Sequence, residues 1–386
     1  MTDRRLRRDE LLAWVERTDG GELYLGRYRA MMTSGSLGRK GLFVYDGPEW
    51  QAIVAQFFRY NAMAGIRIRL PHRLKVAAIV GAAPTHMSRQ ISDSVAVGVH
   101  RLLTLPVTLP VERLVEERNR FRPDFMNAYP SAAVRLAEEQ LAGRLRLSLG
   151  GMSTSSEMRT PEMTERLVEA FGVRPFDLYG TTESLWGCEC ESHEGIHLFE
   201  DMALVENVDA EGRPVPAGEA GARLLVTSLN NFVQPIIRLE VADVVTIEPG
   251  PCSCGRTLIR TRAVEGRSDD VIELPARDGG EVMVHPLHFA TLTRDREVRE
   301  FQVVQEGTRL RILVVPRPAA SEGLEARLRS AVSRRLIELG VEEPRVTVER
   351  RGELARSAGG KLQLVVADRM AKPRSVSGAP DDARSR

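Results

Sequence analysis

Four short stretches of the sequence carry residue types that chemistry needs. The first is Thr33-Ser34-Gly35-Ser36-Leu37-Gly38-Arg39-Lys40-Gly41. Its glycines let successive backbone N–H groups turn toward an anion, and its hydroxyls add donors for phosphate oxygens. No Gly-Lys-Ser/Thr closes the spacing, so it is not a Walker A loop. The second is Tyr179-Gly180-Thr181-Thr182-Glu183, directly after a strand expected over Pro175–Tyr179. Loops after sheet strands are where α/β proteins bind ligands. Tyr179 offers a flat face for a purine, Thr182 a donor to phosphate, and Glu183 a ligand for a magnesium ion bridging phosphates. The third joins Arg238–Asp243 to Gly266-Arg267-Ser268-Asp269-Asp270. The Asp243 carboxylate suits both hydroxyls of a ribose, and Arg267 is a fixed fork for sugar or phosphate oxygens. The fourth is Ser357-Ala358-Gly359-Gly360-Lys361. Its glycines free the backbone, and its lysine is a compact charge on a flexible stem, suited to entering a site, neutralising charge and leaving. Taken singly, each stretch also reads as a linker, a turn or a surface ion-pair cluster.

Lysine is otherwise rare. Lys40, Lys75, Lys361 and Lys372 are the only lysines among 54 basic residues, so each raises the question of why arginine would not serve. Hydrophobic residues at 42% suffice for a core, and charged residues at 28% keep the surface polar. A formal net charge of +1 points to neither nucleic acid nor an anionic membrane as a partner. The first ten residues lack an apolar segment of signal-peptide type, and no apolar run reaches the ~20 residues that span a bilayer. The expected compartment is the cytoplasm, where cysteines serve as thiols or metal ligands.

The elements that position these stretches alternate in the first half. Helices are expected at Asp9–Glu16, Val111–Arg118, Ser131–Leu141 and Pro161–Phe171, the last with proline in its favoured first turn. Strands are expected at Leu74–Ile79, at Leu145–Leu149 ending on Gly150-Gly151, and at Pro175–Tyr179. That alternation predicts α/β layers. Residues 195–245 read as β-rich, and Phe301–Val315, Glu322–Leu339 and Arg345–Arg350 read as a small α+β unit. The polar end, Lys372–Arg386, reads as a disordered tail.

In this order, from Thr33 to Lys361, the four stretches resemble the adenylate-forming superfamily of acyl-CoA synthetases, peptide-synthetase adenylation domains and luciferases, and within it the phenylacetate–CoA ligase group. The resemblance implies a large multi-layer N-terminal adenylate-forming domain, residues 1–267, with a small mobile α+β C-terminal domain, residues 268–371. It implies that Thr33, Ser34, Gly35, Ser36, Gly38 and Lys40 form a phosphate loop, and that Gly150, Gly151 and Met152 line the adenine and acyl sites. Tyr179, Gly180 and Thr181 would carry the adenine, Thr182 would contact the α-phosphate, and Glu183 would hold Mg2+. Asp243 and Arg267 would hold the ribose, Asp269 would be the hinge, and Lys361 the catalytic lysine. The substrates implied are ATP, a carboxylic acid and coenzyme A. The chain departs from the family pattern at Leu37, at Leu239-Glu240-Val241-Ala242, in the short stretch before the phosphate loop, and at Pro275–Gly280. The last two departures leave the acid and the acceptor open: an amine, a carrier-protein thiol or another oxyanion substrate stands beside coenzyme A, and a non-catalytic binding protein is the reading from another class. A homodimer is left open too.

Cys188-Glu189-Cys190 and Cys252-Ser253-Cys254, with His193 and His197 nearby, supply enough thiol and imidazole for a tetrahedral zinc. Similar positions in the phenylacetate–CoA ligase group single out Cys190, His197, Cys252 and Cys254 as the structural zinc set. His72, His86, His100, His285 and His288 show no partner pattern and read as structural or surface residues. The acid is expected between the Gly150–Met152 turn and the segment after Glu183, against Met152, Ser184 and Trp186, with Asn127 and Tyr129 as outer walls. No Lys or Arg lies between Glu183 and Phe199, which favours an aromatic monocarboxylic acid over a dicarboxylate.

Overall fold

The computed structural model describes residues 1–33, 41–66, 73–96, 98, 100–267, 270–357 and 360–368. In chain order it opens with α1 (Arg8–Val15), β1 (Arg29–Met32), β2 (Leu42–Tyr45), α2 (Gly47–Met63), β3 (Lys75–Val80), α3 (Met87–Ser94) and β4 (Arg101–Pro106). Then come α4 (Val111–Phe121), β5 (Phe125–Ala128), α5 (Pro130–Leu141), β6 (Gly151–Ser155), α6 (Pro161–Phe171) and β7 (Phe176–Gly180). An all-β run follows: β8 (Trp186–Glu189), β9 (Ile196–Leu198), β10 (Ala203–Val208), β11 (Arg223–Ser228), β12 (Leu239–Val241), β13 (Asp243–Ile247) and β14 (Arg260–Arg267). The chain closes with β15 (Ile272–Pro275), β16 (Glu281–Val284), a 3-10 helix (Pro286–Arg294), β17 (Val298–Glu306), β18 (Arg309–Pro316), α7 (Leu324–Glu338), β19 (Arg345–Arg350) and β20 (Val365–Val366).

Local chemistry explains the helix ends. The α2 start is a capping box: Glu49 N–H donates to Asp46 Oδ1 at 3.2 Å and Asp46 N–H to Glu49 Oε2 at 2.9 Å. Thr160 caps α6 by accepting the Met163 N–H at 3.2 Å, and Gly172, with φ 70°, stops it in the left-handed conformation that glycine adopts freely.

The central sheet has nine strands in the order β13-β14-β9-β8-β7-β6-β5-β3-β4. β4, β3, β5, β6 and β7 are mutually parallel; β8, β9, β14 and β13 continue antiparallel. A parallel sheet must be covered on both faces, and two cores do this. On one face Ile53, Tyr60 and Met63 of α2 and Met87 and Ile91 of α3 pack with Leu178, Trp186 and Cys188. On the other, Leu114 of α4, Ala133 and Leu136 of α5 and Leu167 of α6 pack with Ile79, Met126 and Met152. A separate core, from Ile272 to Val365, fills the space between α7 and the four-stranded sheet β19-β18-β17-β20. Among the described residues no helix is long and apolar enough to cross a membrane.

One expected strand is displaced. Leu145–Leu149 is irregular, and the strand begins at Gly151. Leu145, Leu147 and Leu149 are buried in alternation, which gives the period of a strand. Gly150 N–H then bonds Asp124 O at 2.7 Å, and the ladder starts with Gly151 opposite Phe125.

Candidate active site

The parallel strands β3, β5, β6 and β7 all end on one edge of the sheet, and the residues that follow them gather there. After β3 come Gly81–His86, after β5 Tyr129, after β6 Ser156 and Glu157, and after β7 Thr181–Ser184. Ser156 (φ 71°) and Ser184 (φ 80°) are non-glycine residues in the left-handed region, a strain that the surrounding contacts hold in place. Ser184 is fully buried, 2.8 Å from the Tyr45 hydroxyl, which also donates to Thr182 O at 2.6 Å.

The β1–β2 hairpin is thereby tied to the Thr181–Ser184 loop. Its other strand is tied to the β3 loop, because Met32 N–H reaches Thr85 O at 3.4 Å. The base of the expected phosphate loop is closed by Thr33, whose N–H donates to Gly41 O at 2.9 Å and whose Oγ1 accepts the Gly41 N–H at 2.8 Å. Ser34, Gly35, Ser36, Leu37, Gly38 and Lys40 lie outside the described residues, as do Ser268 and the expected hinge Asp269.

Tyr179 donates to Asp243 Oδ2 at 2.6 Å, and Asp243 is the direct ladder partner of Arg267 on the neighbouring strand. The residues expected to hold adenine and ribose therefore stand together. Glu183 is half-buried beside Ser184, a carboxylate suited to a hard cation.

Lys361 reaches this edge from the C-terminal unit. Its Nζ lies 5.9 Å from the centre of the Tyr129 ring. It also acts on His86: burial first, and then the Lys361 charge, depress the His86 imidazole to about 3, so it is neutral at ordinary pH. His86 Nδ1 sits 3.0 Å from Ser88 Oγ, which takes the Gly81 N–H at 3.1 Å and stands 3.4 Å from the Tyr129 hydroxyl. His86 was expected to be a structural or surface residue; it is nine-tenths buried and faces Lys361. Ser155, Ser156, Glu157 and Ser88 did not figure among the expected site residues either. The signal for the first three was their place at or just past the end of a strand, masked by the displaced strand reading.

Other expectations are separated by the sheet. Gly150, Gly151 and Met152 sit at the start of β6, and the site lies at its end. Beside that start, Asp124 and Ser148 help line a shallow cleft of about 810 Å³ on the opposite edge from Lys361. Met152 packs with α4–α6, while Trp186 packs with α2 and α3. The registers Met152–Met126, Ser153–Phe176 and Gly180–Trp186 fix this, since side chains alternate along each strand. Met152 and Trp186 thus cannot face one another. On the Trp186 face, Asn127 Nδ2 donates to Ser153 Oγ at 2.7 Å. The Gln56 amide, the Tyr60 hydroxyl and Trp186 Nε1 on that side are buried without a hydrogen-bond partner among the described residues.

The four expected metal ligands do come together. One ligand atom from each of Cys190, His197, Cys252 and Cys254 lies within 4.8 Å of all the others. Cys190 Sγ is 3.7 Å from Cys252 Sγ, and Cys254 Sγ is 3.5 Å from His197 Nε2. Bond lengths of 2.3 Å to sulfur and 2.0–2.1 Å to nitrogen around a tetrahedral zinc imply edges of about 3.8 Å and about 3.6 Å. The donor set fits zinc in chemistry and in spacing. Cys188 is outside it, buried with its thiol against Met63 Sδ at 3.5 Å.

No protein-family model matches the chain. The phenylacetate-coenzyme A ligase of Thermus thermophilus is 27% identical over 367 residues, covering 88% of this chain and 80% of that one. Among solved structures, 2-hydroxyisobutyryl-CoA ligase in the postadenylation state matches with a TM-score of 0.72 at 24% identity, covering 91% of this chain and 75% of that one. The same enzyme in the thioesterification state matches at 0.55, also at 24% identity, over 90% and 74%. The chain has the fold of the adenylate-forming coenzyme A ligases and is a homologue of phenylacetate–coenzyme A ligases.

Proposed function

We propose that the chain activates an aromatic monocarboxylic acid with ATP and passes the acyl group to the thiol of coenzyme A. The observation that carries this is Lys361 at the strand-end edge, beside neutral His86 and Tyr129. A carboxylate oxygen attacks the α-phosphorus, the bond to the bridging oxygen breaks, and pyrophosphate leaves with the charge. Two anions meet in that step, so catalysis is positioning plus electrostatic stabilisation. Lys361 stabilises the charge. Mg2+, held by Glu183, would neutralise phosphate oxygens when bound. In the second step the coenzyme A sulfur forms a bond to the acyl carbon and AMP leaves.

The two steps call for a C-terminal unit, from about residue 268, that moves relative to the rest. The zinc set at Cys190, His197, Cys252 and Cys254 would be structural, with four protein ligands and no open position. The acid body is assigned to the Trp186 face, where Trp186 supplies a flat apolar wall. The unpartnered polar atoms of Gln56 and Tyr60 suit a polar substituent on the ring.

The test is ATP–pyrophosphate exchange over a panel of acids, with product analysis with and without coenzyme A. Aromatic monocarboxylates are expected to lead, and thioester to form only with coenzyme A. Exchange without thioester would move the acceptor to an amine or a carrier protein, and no exchange with any acid would leave a binding protein. Two variants sharpen the map. Trp186→Ala should raise the KM for the best acid about tenfold and leave that for ATP within twofold; equal rises would remove Trp186 from the acid wall. Tyr179→Phe loses the bond to Asp243, worth ~1.5–3 kcal/mol for a charged partner. Its KM for ATP should rise by roughly ten- to a hundredfold with the acid KM unchanged, and an unchanged ATP KM would exclude the nucleotide role.

A further inference from the structure

The carboxylate of Glu157, just past the end of β6, touches both parts of the molecule. Its Oε2 accepts the Ser131 N–H in the first turn of α5 at 3.0 Å. Its Oε1 accepts the N–H of Leu362, the residue after Lys361, at 2.8 Å. Burial pushes the Glu157 carboxyl above the usual carboxylate range, and these two N–H donors oppose that rise. Leu362 and Ser131 are both buried, so the two bonds are shielded from water.

Ser357, Gly360 and Lys361 are also hydrogen-bonded to one another. Lys361 N–H donates to Ser357 Oγ at 3.1 Å, Ser357 N–H to Lys361 O at 2.9 Å, and Gly360 N–H to Ser357 O at 2.8 Å. Gly360 has φ 80°, and a Cβ added there would stand 2.3 Å from Val107 Cγ1 in the loop after β4. Only glycine allows the backbone that close. Arg356 braces the same junction, donating to Ser131 Oγ at 2.9 Å and to Glu300 at 3.1 Å. One buried carboxylate thus fixes the position of the backbone that carries the Lys361 side chain.

We propose that Glu157 is a positioning residue, a latch that holds Lys361 in the site during adenylation and releases it for thioester formation. This rests on the two-step reading above. The docked arrangement is nearer to the postadenylation neighbour than to the thioesterification one. Any rotation that withdraws Lys361 must break the Leu362–Glu157 bond. It leaves the Ser131–Glu157 bond intact, because both residues belong to the large part. Glu157 therefore keeps one partner in both states and gains the second only when Lys361 is in place. That makes the bond specific to one state and keeps the carboxyl hydrogen-bonded in the other.

The experiment uses the full chain and two variants, Glu157→Gln and Gly360→Ala, which weaken the docking from opposite sides. Three quantities are measured: ATP–pyrophosphate exchange, coenzyme A-dependent consumption of supplied acyl-adenylate, and backbone hydrogen exchange over residues 360–366. Both variants should slow pyrophosphate exchange at least tenfold through kcat, with KM for ATP and acid within threefold. Consumption of supplied adenylate should change less than threefold. Hydrogen exchange over 360–366 should quicken at least tenfold while β17 and β18 keep their protection. Equal losses in both half-reactions, or unchanged hydrogen exchange at 360–366, would overturn the latch. Absence of adenylation in the unaltered chain would instead remove the two-step reading, and the hydrogen-exchange arm would still decide whether Glu157 holds this segment.

Discussion

Replacing Lys361 by alanine should slow adenylate formation by two orders of magnitude or more, equivalent to ~3 kcal/mol of lost transition-state stabilisation. The argument is local. The lysine is a cation that the C-terminal unit brings to the strand-end edge, and its ammonium is close enough to His86 to help hold that imidazole neutral. A neutral imidazole adds no positive charge of its own beside Lys361. The loss should appear in ATP–pyrophosphate exchange, while supplied acyl-adenylate should still react with coenzyme A within tenfold of the unaltered rate. The His86 imidazole in the variant should rise toward its ordinary value, though burial still holds it down. Equal loss in both half-reactions would take Lys361 out of the adenylation step and make it a structural residue.

Much of this site was legible because chemistry-bearing loops follow strands. Tyr179–Glu183 was legible at the end of an expected strand, whereas Asp243 stood only in a β-rich stretch; the fold starts β13 at Asp243 and joins it to Tyr179. The glycine-flanked Lys361 stood out through its type alone. The misplacement at Gly150–Met152 has a physical cause. Leu145, Leu147 and Leu149 bury alternate side chains against α4 and α5 but have no ladder partners. The true strand, Gly151-Met-Ser-Thr-Ser, is short, polar and buried in the middle of the sheet. Its place is set by neighbours β5 and β7, which propensity cannot register. A shift of one strand carried the reading from the site edge to the opposite one, and Ser156 and Glu157 went unseen with it. His86 was hidden for another reason: its partners, Ser88 and Lys361, are brought to it by a helix start and by a residue 275 positions later in the chain. The opposite placement of Met152 and Trp186 needed the register of four strands, which a residue pattern does not contain.

The second large effect concerns the thiol and imidazole cluster. Protein purified without added metal should carry close to one zinc per chain, and Cys252→Ser should lose it. The cluster sits where two segments meet, and contacts such as Ser192–Cys252, Glu194–Ser253 and Arg256–Glu191 already join them. Cys190 follows β8, His197 lies in β9, and Cys252 and Cys254 belong to the loop before β14, which meets β9 through the Arg260–His197 and Thr261–Ile196 pairs. A bound zinc would add four bonds to these connections. Metal binding free energy is folding free energy where the ligands are scattered in the unfolded chain. Because β8 and β9 are also held by the sheet, the expected loss is smaller than for a zinc finger, ~3–5 kcal/mol. The fall in unfolding midpoint should approach ~10 °C, at roughly 2–4 °C per kcal/mol for a unit of 150–250 residues. Turnover of the folded fraction should change less than threefold. β8 runs antiparallel to β7, so Trp186 lies at the Lys361 edge and Cys190 at the far one. Metal content near zero in the unaltered protein would remove the zinc. A Cys252→Ser variant that keeps its melting point but loses adenylation would convert the cluster from a structural staple into part of the reaction machinery, against the geometry that sets the two at opposite edges of one sheet.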